Sequence, residues 1–384
     1  METNSTQQYF YKLGHQKDLG LAEFAFLSKD KDFSFDSNWL FSNSLIKVKE
    51  TGSLIYSGKV IQSWSKDDYR DRLLLDALEK FLKSPEISFK KLGLVLPKDL
   101  HPQALEISKK NGVKKINLLS LGELPNYGHW KQAKNWIILY VFKDQIVLGH
   151  ILQYVDQQFW AILDSSLPKG DISRGLINLK LARTLLNFSE KDIVWDPFAG
   201  HARVLAAGLD LKKEFYLSDI EGGELGQEMK ENYNYASQFW ERNNIEKSNL
   251  GELKEVFDLD ASELKKATFL SEIDPKTISI VTEGCLGKNF KYLPGKDEIK
   301  REWDSLEIIW RSLIREAFEL KIPEIIFCLP FYKLKNETMI PVFLKELVYE
   351  TEYKYSKLFN TDYLKYSRPN SIVGHFILKL ELNS

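Results

Sequence analysis

The sequence predicts an α/β fold. An open, mostly parallel, Rossmann-like sheet runs from residue 176 to the end, preceded by two small α+β domains over 1–83 and 84–158 and a linker over 159–175. Three observations predict it. The run Asp192-Ile-Val-Trp-Asp-Pro-Phe-Ala-Gly200 is a short apolar strand ending in a tight turn, and the Ala/Leu-rich segment after it reads as a helix, the opening unit of a parallel sheet. Beyond it, strand-like and helix-like segments alternate to the C-terminus, as a doubly wound sheet requires. The length of 384 residues exceeds what one ordinary core organises.

From the N-terminus, Gln8 to Gly14 is aromatic-rich and reads as a strand, and Leu19 to Leu27 carries apolar residues at helical spacing. Leu45 to Val48 and Leu54 to Trp64 read as strands, broken by Thr51-Gly52 and Ser57-Gly58. Asp67 to Leu82 is an amphipathic helix with an acidic start and Leu73, Leu74, Ala77, Leu78, Phe81 and Leu82 on one face. After Ser84-Pro85 the pattern restarts with a strand at Lys91 to Leu96, a helix at His101 to Asn111 and a strand at Ile116 to Leu119. A helix at Tyr127 to Lys134 and a hairpin of Trp136 to Phe142 with Gln145 to Gln153 complete it. In the second half, Leu176 to Phe188 is a helix that packs on the sheet. Strands are expected at Ile193 to Trp195, Glu214 to Ser218, Glu255 to Leu259, Thr277 to Thr282 and Glu324 to Leu329, then a terminal pair at Tyr363 to Ser367 and Ser371 to Leu380.

Hydrophobic residues make up 43% and charged residues 28%, the balance of a soluble globular chain. A net charge of -1 excludes a globally basic nucleic-acid binder, so any such surface needs local charge separation. Leu78 to His150 supplies it, with twelve Lys and no Arg against six acidic residues, densest at Lys109, Lys110, Lys114 and Lys115. Cys285 and Cys328, far apart, form neither a disulfide framework nor a zinc site, and the six histidines are dispersed, so no metal is expected. A polar N-terminus and the lack of a membrane-length apolar run predict a cytoplasmic protein.

The chemistry centres on the first turn of the parallel sheet. Gly200 lets backbone approach a ligand closely, and Asp219, closing the second strand, is placed to accept from ribose hydroxyls. Together they predict a nucleoside-containing cofactor. The loop is not Gly-x-Gly-x-x-Gly and lacks Gly-Lys-Ser/Thr, which excludes the standard dinucleotide and triphosphate sites.

Asp196-Pro-Phe-Ala-Gly200 resembles the S-adenosylmethionine loop of the THUMP-domain tRNA guanine-N2 methyltransferases. Asp164, Pro168, Asp171 and Gly175 fall at the spacing of that family's connecting segment. Lys180-Leu-Ala182 and Asn187 match its next helix, and Tyr366-Ser-Arg-Pro369 with Val373-Gly-His375 matches its last hairpin. The resemblance covers Asp164 to the C-terminus by motif and the earlier residues by layout alone. It implies a class I methyltransferase domain with a seven-stranded sheet, behind ferredoxin-like and THUMP-like RNA-binding domains. It further implies S-adenosyl-L-methionine as cofactor, held by Asp196, Pro197, Phe198, Ala199, Gly200, Asp219, Ile220, Asp260 and Ala261. The implied partner is tRNA, contacted in part by Lys109, Lys110, Lys114 and Lys115, with a small activator subunit as in some relatives.

The acceptor site of such a fold lies at the end of the fourth strand, here Val281-Thr-Glu-Gly-Cys-Leu-Gly287. Relatives carry Asp-Pro-Pro-Tyr or Glu-Pro-Tyr-Leu-Gly there, where the carboxylate and the next carbonyl accept from an exocyclic amine and the aromatic stacks on the base. Glu283 keeps the carboxylate and Gly284 its carbonyl, so these two are the catalytic candidates. Gly284 and Cys285 replace the proline and the aromatic, which predicts a looser backbone without a π surface, Phe290 or Tyr292 being the nearest substitutes. His201-Ala202-Arg203 replaces Ser-Gly-Thr, which predicts strain at Ala202 if its φ is positive and an Arg203 that either pairs with the cofactor's carboxylate or fills its place. The expected activity is methyl transfer to an exocyclic amine, N2 of a tRNA guanosine. A decayed RNA-binding relative and a DNA amino-methyltransferase are the alternatives.

Overall fold

The computed structural model describes residues 8–382 except 31, 37, 85–88, 124, 126, 134, 171–175, 244, 289, 291 and 336. Two compact units divide the chain. Residues 1–20, 28–50 and 54–159 form the first, and 21–27, 51–53 and 160–384 the second.

The elements up to residue 166 are β1 (Tyr9–Leu13), α1 (Lys17–Ser28), β2 (Ser34–Phe35), β3 (Trp39–Ser42), β4 (Leu54–Ser65), α2 (Asp71–Leu82), β5 (Lys91–Leu96), α3 (His101–Lys110), β6 (Lys115–Ser120), α4 (Tyr127–Gln132), β7 (Trp136–Phe142), β8 (Gln145–Tyr154) and α5 (Gln157–Ser166). Eight strands form one sheet, ordered β2-β3-β1-β4-β8-β7-β5-β6. The long antiparallel pairing of β4 with β8 joins strands from either side of residue 83. Leu74, Leu78 and Leu82 of α2 pack with Leu92, Leu94, Ile137 and Leu148 in one cluster, while Phe10, Trp39, Tyr56, Trp136 and Tyr140 form a separate, aromatic one. Alternation along β7 supplies both, since successive strand residues point to opposite faces.

Two expectations change here. Leu45 to Val48 is not a strand, because Trp39–Ser42 takes the edge of β1 instead, in the register Tyr9 to Ser42, and Val48 opens a 3-10 turn. Ser57-Gly58 does not break β4, which runs through with a register shift against β8. The segment expected as a linker begins inside helix α5, and its Asp171 and Gly175 lie outside the described residues.

The second unit continues with α6 (Leu179–Asn187), β9 (Ile193–Asp196), α7 (Arg203–Gly208), β10 (Glu214–Asp219), α8 (Gly222–Arg242), β11 (Glu252–Asp258), β12 (Ile278–Val281), α9 (Lys296–Glu319), β13 (Glu324–Lys333), β14 (Thr338–Met339), β15 (Tyr353–Tyr355), β16 (Tyr363–Tyr366) and β17 (Val373–Leu382). Seven strands follow one another in the order β11-β10-β9-β12-β13-β17-β15, and β14 on β13 and β16 on β17 bring the sheet to nine. β9 to β13 are parallel, and β17 is antiparallel to its neighbours. Along the seven-strand path this is a Rossmann-like sheet with the one reversed strand of the class I arrangement, and β14, antiparallel to β13, is reversed off that path. β9 starts the sheet at its centre, the chain steps outward through β10 and β11, and β12 returns to the other side of β9. The order therefore reverses between β9 and β12, and crevices at the carboxyl ends of such strands are where open α/β sheets bind ligands.

α9 explains the depth of this core. Ile299, Trp303, Leu306, Trp310, Leu313, Ile314 and Ala317 recur at helical spacing and are all buried, packed with Trp195, Ile280 and Phe327 of the sheet. Each large side chain withdrawn from water there contributes about 1.5–3 kcal/mol.

Candidate functional site

Four strand ends converge on one cavity of about 550 Å³, within the range of small-molecule sites. β9 delivers Asp196 and the loop Pro197, Phe198, Ala199 and Gly200; β10 delivers Asp219 and Ile220. Asp260 and Ala261 follow β11, and Glu283, Gly284 and Cys285 follow β12. All eleven residues singled out in the sequence for cofactor and acceptor chemistry thus line a single space.

The loop is held by the strand ends beside it. Gly200 has φ +48°, and its N–H donates to Asp219 Oδ2 at 3.0 Å, while Asp219 Oδ1 accepts from the Glu221 N–H at 3.1 Å. A Cβ at Gly200 would meet nothing within 4 Å, so the backbone there faces open space that a ligand can fill. Ala202, at φ 58° and fully buried, does occupy the left-handed region, which costs a non-glycine residue about 1–2 kcal/mol. Ile220 is 70% exposed at the rim. Asp260 Oδ1 accepts from the backbone N–H and the hydroxyl of Ser262, each at 2.8 Å.

Asp196 is 1% exposed. Burial pushes its carboxyl up to about 7; hydrogen bonds from Thr282 and from the Phe198 N–H oppose the rise, and the nearby Asp219 and Glu283 add to it. Thr282 also accepts from the Gly284 N–H through Oγ1 at 2.9 Å, so one buried hydroxyl joins the loop after β9 to the turn after β12.

That turn is not loose. Gly284 has φ +75°, and a Cβ on it would lie 2.2 Å from Cζ2 of Trp310 in α9. Proline, with φ near −65°, does not fit this conformation. The turn is therefore wedged by an indole instead of being stiffened by a ring in the backbone. Phe290 and Tyr292 do not supply the missing aromatic. Phe290 is 6% exposed and packs edge-on against Tyr332, and the Tyr292 hydroxyl donates to Glu298 at 2.7 Å. Among the described lining residues the aromatic is Phe198, whose ring lies 5.4 Å from that of Trp310.

Arg203 lines the cavity but is engaged by protein. Its Nε donates to the Ile177 carbonyl at 2.8 Å, and its guanidinium pairs with the Asp164 carboxylate. It ties α7 to the segment before it and is not held in reserve for a ligand carboxylate. Burial pushes the Cys285 thiol up, which opposes a nucleophilic role. Glu283 has a partner that sequence reasoning missed. His375 Nε2 on β17 lies 2.9 Å from Glu283 Oε1, across 92 residues of chain. The Val373-Gly-His375 match pointed to this histidine but not to what it touches.

Lys109, Lys110, Lys114 and Lys115 are far from this chemistry in sequence. All four are exposed, at the end of α3 and the start of β6. Lys90 joins them, its carbonyl accepting from the N–H groups of Lys114 and Lys115, and Lys91 stands opposite Lys115 in the parallel pairing of β5 with β6.

No family model and no curated protein matches the chain. Solved structures that resemble it include TrmN from Thermus thermophilus, at 14% identity over 98% of this chain and 100% of that one, with a TM-score of 0.49. A possible methylase from Clostridium difficile 630 has 13% identity over 97% of each chain and a TM-score of 0.42. SMU.472, complexed with SAH, has 10% identity over 98% and 99% and a TM-score of 0.42.

Proposed function

We propose that the chain is an S-adenosyl-L-methionine-dependent methyltransferase acting on an exocyclic amine of RNA, with N2 of a tRNA guanosine as the acceptor. The observation that carries this reading is the single cavity at the sheet's reversal point, where a close-approach loop, a strand-end carboxylate and a carboxylate-glycine turn face one another. The residues fit the cofactor. Gly200 leaves open space beside the loop, Asp219 offers carboxylate lone pairs to ribose hydroxyls, and Asp260 with Ala261 borders the place for adenine. When bound, the cofactor supplies a methyl group that leaves with its bonding pair kept on sulfur while the amine nitrogen forms the new bond.

The protein's own part is to hold and to receive. The Glu283 carboxylate and the Gly284 carbonyl accept from the two amine N–H groups, which aims the nitrogen lone pair at the methyl position, and Glu283 takes the proton that the methylated nitrogen sheds. Holding reactants in a near-attack arrangement is where most of the rate of such a transfer originates, since the site provides no covalent intermediate. The lysine-rich corner of the first unit supports an RNA substrate through phosphate contact, which gives affinity and register without sequence choice.

Isothermal titration with S-adenosylmethionine tests the cofactor site. Asp219→Ala is expected to weaken binding at least tenfold, and absence of binding by the wild type removes the enzyme reading. Nucleoside mass spectrometry of a whole tRNA pool incubated with protein and cofactor then tests the acceptor. New N2-methylguanosine supports the proposal, whereas RNA binding without any new methylnucleoside favours a decayed relative.

A further inference from the structure

We propose that His375 is the positioning residue of the acceptor site: by holding Oε1 of Glu283 it leaves Oε2 to receive the amine. This deepens the reading above and rests on it. Glu283 needs an anchor, because the chain leaves strand β12 at Val281 and the glutamate stands between Thr282 and the positive-φ Gly284, outside any ladder. A flexible side chain in such a place loses rotamer freedom only if something fixes it.

His375 is suited to fix it. The residue lies within β17, opposite Pro330 of β13 on one side and Tyr366 of β16 on the other, so both neighbouring strands set its backbone. The Tyr366 ring meets its imidazole edge-on at 5.6 Å. Nε2 lies 2.9 Å from Glu283 Oε1, and Nδ1 is buried with no hydrogen-bond partner among the described residues. A buried N–H without an acceptor is costly, so the neutral ring carries its proton on Nε2 and donates it to the carboxylate. The other carboxylate oxygen has no hydrogen-bond partner among the described residues, and Glu283 lines the cavity. His375 thus acts through Glu283 and does not itself touch the amine.

The test uses the full chain and the variants His375→Ala, His375→Gln and Glu283→Ala. In the unliganded protein, labelled at histidine nitrogen, the spectrum is expected to show a proton on Nε2 of His375 in a hydrogen bond that Glu283→Ala abolishes. Cofactor affinity by titration is expected to stay within twofold in both His375 variants. For methyl transfer, His375→Ala is expected to lower kcat about 10- to 100-fold with KM for tRNA nearly unchanged, the scale of a misplaced reacting group. Glutamine, which can donate from a similar place, is expected to recover most of that loss. A proton on Nδ1, a wild-type kcat in His375→Ala, or a folded His375→Gln no better than alanine overturns the proposal while cofactor binding stands. A wild type that binds no cofactor overturns the reading beneath it, and the spectrum, taken without cofactor, separates the two failures.

Discussion

At the residue scale the most unusual group is Asp196, a carboxyl that burial pushes up to about 7. In the unfolded chain the same group titrates near 3.9. Its folded pKa lies above the unfolded one, so the native state keeps a proton that the unfolded state releases. Stability is therefore greatest below about pH 4, falls as pH rises towards 7, and stays low above that. The gap converts to about 4 kcal/mol as an upper bound. Asp196→Asn, which cannot ionise, is expected to melt higher than wild type at pH 8 and to lose that advantage near pH 4, measured by thermal unfolding in the absence of cofactor. Equal differences at both pH values would show that the carboxyl is not held neutral by its surroundings. The residue itself was legible in the sequence, because a strand-turn-helix signature is local. Its protonation was not, since the buried surroundings and the Thr282 hydrogen bond arise only when β9 and β12 lie side by side.

At the element scale, the turn after β12 shows what separates a readable motif from its mechanics. Val281-Thr-Glu-Gly pointed to the turn after β12 that lines the cavity, yet the glycine suggested slack where the structure has a wedge. Trp310 is one of seven buried positions on α9, and nothing in helical periodicity distinguishes the indole that fills the core from the one that also sets a backbone angle. The same limit hid His375 and the pairing of Arg203 with Asp164, both between residues distant in sequence. Gly284→Ala tests the wedge. It combines a positive φ, worth about 1–2 kcal/mol, with an overlap that over-packs the site by about 1–3 kcal/mol. A loss of roughly 2–4 kcal/mol in urea unfolding is expected. Trp310→Phe, which shortens the ring beneath, should return the overlap part in the double variant but not the φ part. The pair must then show a coupling energy clear of additive error, about 0.5 kcal/mol. Additive effects would mean that α9 does not set this turn.

At the scale of the whole molecule, the alternation of strands and helices gave the second unit's sheet nearly strand by strand. Its path has seven strands, as the resemblance implied, but the last of them is the three-residue β15, which like β14 was too short to announce itself, whereas the strand expected at Tyr363 to Ser367 stands as β16, paired with β17 off that path. The first unit was less readable, because its eight strands close through the distant pairing of β4 with β8, which no local pattern encodes. Charge is legible at any scale, and here it makes the last prediction. A chain of net charge -1 binds RNA only where its lysines gather, and Lys109, Lys110, Lys114 and Lys115 gather in the open, beside Lys90 and Lys91. Each phosphate contact releases condensed counterions, so the logarithm of affinity falls with the logarithm of salt by about 0.7–0.9 per contact. Changing all four to glutamine should therefore lower the salt slope of tRNA binding by about 3, weaken binding uniformly across tRNA sequences, and leave cofactor affinity in the second unit untouched. Filter binding across a series of salt concentrations reads the slope directly. An unchanged slope would move the RNA-contacting face elsewhere on the chain. A lowered slope with a changed site of methylation would show that these lysines set register as well as affinity.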